Sequence, residues 1–365
     1  MVLTASLWIR ALEAQSHIFW DLEHFYQFAE TLFTADHFNY YASVVNQTYT
    51  YAHLPLFPLL LAPVQRLYGA IGWEPVIAVK TLVYIFDVAT AVLLFMLARC
   101  NRLSLASALF IASFWLLSPW LFEASALNGH VTSVAAFFLT AALLRRSVPW
   151  QAGALLALAV ATRSEFLMAA FALAGLYARS GVRPAAGYLS GFGVVIGLIV
   201  GPFLVRHPAG LYWSVVGHLQ GRGEGLPVMR AFIEAATGAF PDELAGPQTW
   251  AMPVALIASF AIGWFVSDPR TAVFKASLAY ALALTVGHGR YFVLPVVAGL
   301  ACVARPGIWG WPLAIYVFEF FIPMNIQPRW IIRALAIAFF FAWPLLRLLP
   351  GLRSFCSKPL RRLVA

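Results

Sequence analysis

The chain has 365 residues, 62% of them hydrophobic and 11% charged, with a net charge of +9 and a mean hydropathy of +0.80. Soluble globular domains carry about 25% charged residues, so a water-soluble enzyme, a disordered protein and a disulfide-stapled secreted scaffold are excluded. A nucleic-acid reading of the basic excess would need a basic face on a soluble fold; in a chain this apolar the excess is first a topology signal, and no nucleic-acid partner is expected.

The expected fold class is an all-α integral membrane protein. Residues 1–53 are polar enough to stand outside the membrane, and 54–72 form an apolar, Pro-rich element read as juxtamembrane or re-entrant. Hydrophobic runs follow at 76–98, 104–122, 126–144, 150–161, 166–178 and 186–204, then 251–266, 272–287, 291–304, 308–324 and 330–349. Several are shorter than the roughly 17 residues of a perpendicular span. The runs 150–161 and 166–178 meet at Thr162-Arg163-Ser164-Glu165, which reads as a polar break compensated by Arg163 beside Glu165. Broken helices at membrane depth occur only inside protein or beside a wet cavity.

Alternating these eleven runs collects Arg99, Arg102, Arg145, Arg146, Arg179, Arg183, Arg270, Lys275 and Arg305 on one side, together with a basic tail ending in Arg361 and Arg362. That side is read as cytoplasmic. The expected organisation is then an extracytoplasmic catalytic loop with its juxtamembrane element (1–75), transmembrane helices (76–204), an extracytoplasmic loop (205–250), further transmembrane helices (251–349) and a basic cytoplasmic tail (350–365). Nothing in the first twenty residues reads as a span or a signal peptide, so a helix upstream of residue 1 is expected. Cys100, Cys302 and Cys356 have no metal or redox spacing and read as structural.

The most informative stretch is Trp20-Asp21-Leu22-Glu23-His24-Phe25-Tyr26-Gln27-Phe28-Ala29, followed by Asn39-Tyr40-Tyr41 and by His53-Leu54-Pro55-Leu56-Phe57-Pro58. A carboxylate in an aromatic, part-desolvated place can have a raised pKa and act as a base. A solvated loop with an interfacial aromatic belt fits the same residues. Lys80 and Asp87, two helical turns apart, read either as a cavity wall or as partners of neighbouring helices. In the loop 205–250, His218-Leu219-Gln220-Gly221-Arg222-Gly223-Glu224-Gly225 offers a guanidinium on a flexible backbone, suited to phosphate; a plain flexible loop would look the same. Glu123 and Glu319 are further acidic residues in or beside the apolar runs.

Taken together, the Trp-Asp…His-Phe element, the Tyr-rich stretch and the Pro-Leu-Phe-Pro turn resemble the GT-C superfamily of multi-span glycosyltransferases. The likeness is greatest to the GPI-anchor mannosyltransferase branch and its prokaryotic relatives. Ser118-Pro119, Leu127-Asn128-Gly129-His130 and His288-Gly289-Arg290-Tyr291 extend the resemblance in chain order to about residue 300. Two features depart from it. No helix is read before Asp21, and Val131-Thr132-Ser133 stands where many relatives carry an acidic residue.

The resemblance implies a GT-C-type bundle that transfers a hexose, mannose first among them, from a polyprenyl- or dolichyl-phosphate donor to a lipid, glycan or protein acceptor, with inversion. It implies Asp21 as general base with Glu23 in reserve, and substrate contacts from His53, His130, His218, Arg222, His288, Arg290 and Tyr291. No Asp-x-Asp pair is present, so a divalent metal is possible but not indicated, and no cofactor is called for. The expected location is a prokaryotic cell membrane, or the endoplasmic reticulum membrane for a eukaryotic chain. The alternatives are a transporter or flippase of a lipid or small hydrophobic solute, which broken helices and buried charges also suit, and an inactive GT-C-like subunit.

Overall fold

The structure is a computed structural model that describes residues 2–13, 20–32, 41, 53–117, 121, 125, 129, 131–212, 214, 250–283 and 293–303. Among these residues the fold is all-α, with no strand. Two helices come first: α1 (Val2–Glu13) and α2 (Trp20–Thr31). A third, α3 (Leu56–Ala70), leads into the long α4 (Pro75–Cys100) and its neighbour α5 (Leu105–Leu117). Then come α6 (Thr132–Leu144), α7 (Pro149–Thr162), α8 (Leu167–Ser180) and α9 (Val182–Arg206). A short α10 (Pro208–Tyr212), α11 (Ala251–Phe265), α12 (Pro269–Ala283) and α13 (Val293–Val303) complete the described elements.

Two helices, α4 and α9, are long and apolar enough to cross a membrane. Their 26 and 25 residues extend about 38 Å at 1.5 Å per residue. Four shorter apolar helices, α5, α6, α7 and α11, accompany them. Within the described residues each expected run from 76–98 through 291–304 contains a helix, whereas 308–324, 330–349 and parts of the runs 104–122, 126–144, 272–287 and 291–304 lie outside them.

Helix α4 sits centrally, packed against α2, α3, α5, α6 and α13. Its inward stripe runs Val76, Val79, Lys80, Val83, Asp87, Ala91, Leu94 and Leu97, the three-and-four spacing of a buried helix face. Helix α5 returns beside it, and the Trp115 indole N–H donates to the Asp87 carbonyl at 3.0 Å. Two closely packed parallel pairs form the other half. In α7–α9, a methyl on Gly153 or Gly191 would overlap the carbonyl oxygens of Tyr188 and Trp150. In α8–α11, Gly175 and Gly263 meet the carbonyls of Phe260 and Ala172 in the same way. Glycine at these four positions lets the backbones approach, which is how helices associate where water supplies no drive.

The N-terminal region differs from the sequence expectation. Residues 1–53 read as a polar stretch outside the membrane with no helix before Asp21, yet 2–13 and 20–31 are helical. Helix α1 precedes Asp21, where no helix was read; it packs on α5, and the buried Ser6 hydroxyl donates to the Leu116 carbonyl at 3.1 Å. At 12 residues it is about 18 Å long, too short to cross alone. Its composition concealed it: the apolar residues are interrupted by Thr4, Ser6 and Arg10 and end at Glu13, enough to dock a short helix but not to register as a span.

Candidate functional site

The site is built on α2. Its inward row is Phe25, Phe28 and Ala29, all buried, against α3 and α4. Gln27 and Glu30 are exposed on the opposite side. Residues three and four apart share a helix face, so position 21 continues the inward row one turn before Phe25. Position 23 continues the outward row one turn before Gln27. The backbone thus separates the two candidate carboxylates onto different faces; their side chains lie outside the described residues.

His53 is half-buried just ahead of α3. Its ring centroid lies 6.0 Å from that of Phe25, and Phe25 meets Phe57 edge-on at 5.1 Å. The His53 carbonyl accepts a 2.8 Å hydrogen bond from the Tyr41 hydroxyl. The structure therefore brings one expected substrate residue, His53, against the helix carrying the expected base. His130, His218, Arg222, His288, Arg290 and Tyr291 lie outside the described residues, as do Glu123 and Glu319.

Below α2, Lys80 and Asp87 are both buried on the inward stripe of α4. Ionisable side chains on such a face are costly unless compensated, and both engage in further polar interactions. Thr132 and Ser133 fall in the first turn of α6 and are fully buried. They form part of the packed wall beside α4, where an acidic residue was the family expectation.

The break between α7 and α8 has the expected form. Helix α7 stops at Thr162, Arg163 is extended at φ −147° and ψ 122°, and Ser164–Phe166 make one 3₁₀ turn before α8. Arg163 Nε lies 2.6 Å from Glu165 Oε1, with both side chains buried. Tyr177 donates to the Arg146 carbonyl at 2.7 Å, so the end of α8 lies beside the residues that lead into α7. The two helices fold back as a hairpin whose tip carries the ion pair. At 14 residues each, they reach about 21 Å, less than the roughly 30 Å hydrocarbon core.

Sequence reasoning noted Tyr41 only as part of a Tyr-rich stretch and gave it no role of its own; it is fully buried and central to the aromatic packing around α2. The same reasoning passed over the start of α12, where Asp268 caps the helix by accepting from the Thr271 N–H at 2.9 Å and pairs with Arg270 at 3.3 Å. Asp two or three residues before an apolar run is a cap signal that could have located this turn. Among the described residues, no group of three or more His, Cys, Asp or Glu side chains is placed to hold a metal ion. No protein-family model matches the chain, and a search of curated proteins finds no match.

Proposed function

We propose that the chain is a multi-pass membrane glycosyltransferase of the GT-C type, using a polyprenyl- or dolichyl-phosphate hexose at the extracytoplasmic face of a cell membrane. The observation that carries this reading is the register of α2. Position 21 lies on the row that faces α3 and α4, and position 23 on the exposed row. A general base must reach a partly enclosed acceptor, so this register favours Asp21 over Glu23.

Membrane residence draws support from α9, whose Val182, Val194, Leu198 and Val205 are widely exposed, an apolar surface that suits lipid. The eleven-run topology places α2 and the loop 205–250 outside, with the Arg-rich connections inside.

In the proposed reaction, Asp21 takes the proton of the acceptor hydroxyl as its oxygen attacks the anomeric carbon. The bond from that carbon to the donor phosphate oxygen breaks, and the lipid phosphate leaves with the electron pair. One displacement inverts the configuration through an oxocarbenium-like transition state, as carboxylates do in inverting glycosidases. Phosphate is a good leaving group, so no general acid is required. Arg222 and Arg290 stabilise the departing charge through charge-assisted hydrogen bonds.

The test is incubation of the purified protein with a panel of polyprenyl-phosphate sugars and acceptor lipids, scoring release of lipid phosphate. Release that depends on both acceptor and Asp21 supports the reading; no release with any donor removes it. A transporter remains the second reading, favoured by the buried Arg163–Glu165 pair at a helix break. It predicts donor movement across vesicles without bond cleavage.

A further inference from the structure

We infer that Tyr41 is a positioning residue that locks α2, the helix bearing Asp21, to the corner between α9 and α10. The inference rests on the reading of α2 as the catalytic helix. Three rings meet at one point. Phe28 of α2 and Tyr41 are edge-to-face at 5.3 Å and 82°. Tyr41 and Phe203 of α9 stand at 5.5 Å and 85°, and Phe28 and Phe203 at 5.7 Å and 88°. All three are buried. Each ring presents an edge or a face to both others, the arrangement aromatic quadrupoles prefer. Sliding any one of them therefore disturbs two contacts.

Two further attachments leave from the same residue. The Tyr41 hydroxyl donates to the His53 carbonyl at 2.8 Å, holding the chain that enters α3. The Tyr41 carbonyl lies so close to Gly210 of α10 that a methyl there would overlap it. Tyr41 thus fastens four parts of the chain: α2, the segment at His53, α9 and α10.

The corner it holds has its own chemical content. It carries Arg206 and His207 and precedes the loop containing Arg222. In the proposed reaction, α2 supplies the base and this loop supplies Arg222, one of the two cations for the leaving phosphate. As a positioning residue, Tyr41 acts by fixing α2 against the α9–α10 corner, from which the chain enters that loop. Displacing a catalytic group by about 1 Å can cost about 10²-fold in rate. Loosening this lock should therefore lower kcat while leaving donor KM nearly unchanged, because the proposed donor contacts Arg222 and Arg290 are not on α2.

The experiment uses the full-length purified protein with spin labels at two exposed positions, Gln27→Cys on α2 and Val205→Cys on α9, and Ala at the three native cysteines. Tyr41→Phe keeps all three rings and should retain a narrow label-to-label distance distribution, with kcat within about fivefold of the parent for loss of one hydrogen bond. Tyr41→Leu removes a ring and should broaden the distribution and lower kcat per folded molecule by about 10–100-fold, with donor KM unchanged. Gly210→Ala keeps every ring but pushes on the Tyr41 carbonyl, and should broaden the distribution likewise. The inference is overturned if Tyr41→Leu and Gly210→Ala both leave the distribution narrow, if the loss falls in KM, or if activity follows the folded fraction alone. A parent that transfers no sugar would refute the proposed function while the distance measurement still decides whether the lock exists.

Discussion

Replacing Glu165 by Gln removes the carboxylate partner of a guanidinium that is only 1% exposed. Charges about 4 Å apart attract by roughly 4 kcal/mol at an effective dielectric of about 20. That attraction is set against the desolvation of both groups, so the intact pair contributes little net stability. Removing one member is different, because the remaining charge stays buried without its ion-pair partner, at a typical cost of about 3–5 kcal/mol. Replacing both by apolar residues of similar size, Arg163→Met with Glu165→Leu, should be neutral or stabilising by about 1–4 kcal/mol. The assay is thermal or SDS-induced unfolding of the purified protein in detergent, followed by helical circular dichroism. The expected order of stability is double variant at or above parent, and parent well above Glu165→Gln. If Glu165→Gln loses less than about 1 kcal/mol, or the double variant is as unstable as the single, the tip is not closed by a buried ion pair.

The same unfolding assay checks the close helix pairs. Gly153→Ala, Gly191→Ala, Gly175→Ala and Gly263→Ala each drive a methyl into a facing carbonyl and should cost about 1–3 kcal/mol. Gly197→Ala, with nothing within 4 Å of the new methyl, should stay within about 0.5 kcal/mol of the parent. Tyr188→Phe deletes a buried hydrogen bond to the Ala170 carbonyl at 2.9 Å and should cost about 0.5–1.5 kcal/mol, because that carbonyl keeps its bond within the helix. Arg222→Ala and Arg290→Ala should each weaken donor use by roughly 1.5–3 kcal/mol, read as donor KM and kcat. Arg→Lys should rescue only in part, since the planar fork is lost.

How much of this could be read in advance depended on whether the signal was local. An apolar run is local, and the run at 76–98 became Pro75–Cys100. The break at Arg163 and Glu165 was legible for the same reason: two opposite charges two residues apart inside an apolar stretch leave few arrangements besides a paired turn. Helix α2 was harder to see. Its inward row of Phe25, Phe28 and Ala29 is interleaved with Glu23, Gln27 and Glu30, so the segment reads as a polar stretch although its period is helical. The packing role of Tyr41 gave no local sign, because its ring partners Phe28 and Phe203 lie far apart in the chain. The candidate site divides the same way. The residue types in 20–29 pointed to a carboxylate base and the resemblance put Asp21 ahead of Glu23; the register of the folded helix adds that positions 21 and 23 lie on different rows.

The central claim is that Asp21 is the base of a glycosyl transfer, and one measurement addresses it most directly. Asp21→Asn and Glu23→Gln are compared with the parent in steady-state transfer from a polyprenyl-phosphate sugar, with donor affinity measured in parallel. Asp21→Asn keeps the side-chain size and removes the basic group. It should bind donor normally while turnover falls by about 10²–10⁴-fold, and Glu23→Gln should cost much less. Full transfer activity in Asp21→Asn, or abolition by Glu23→Gln alone, would contradict the account.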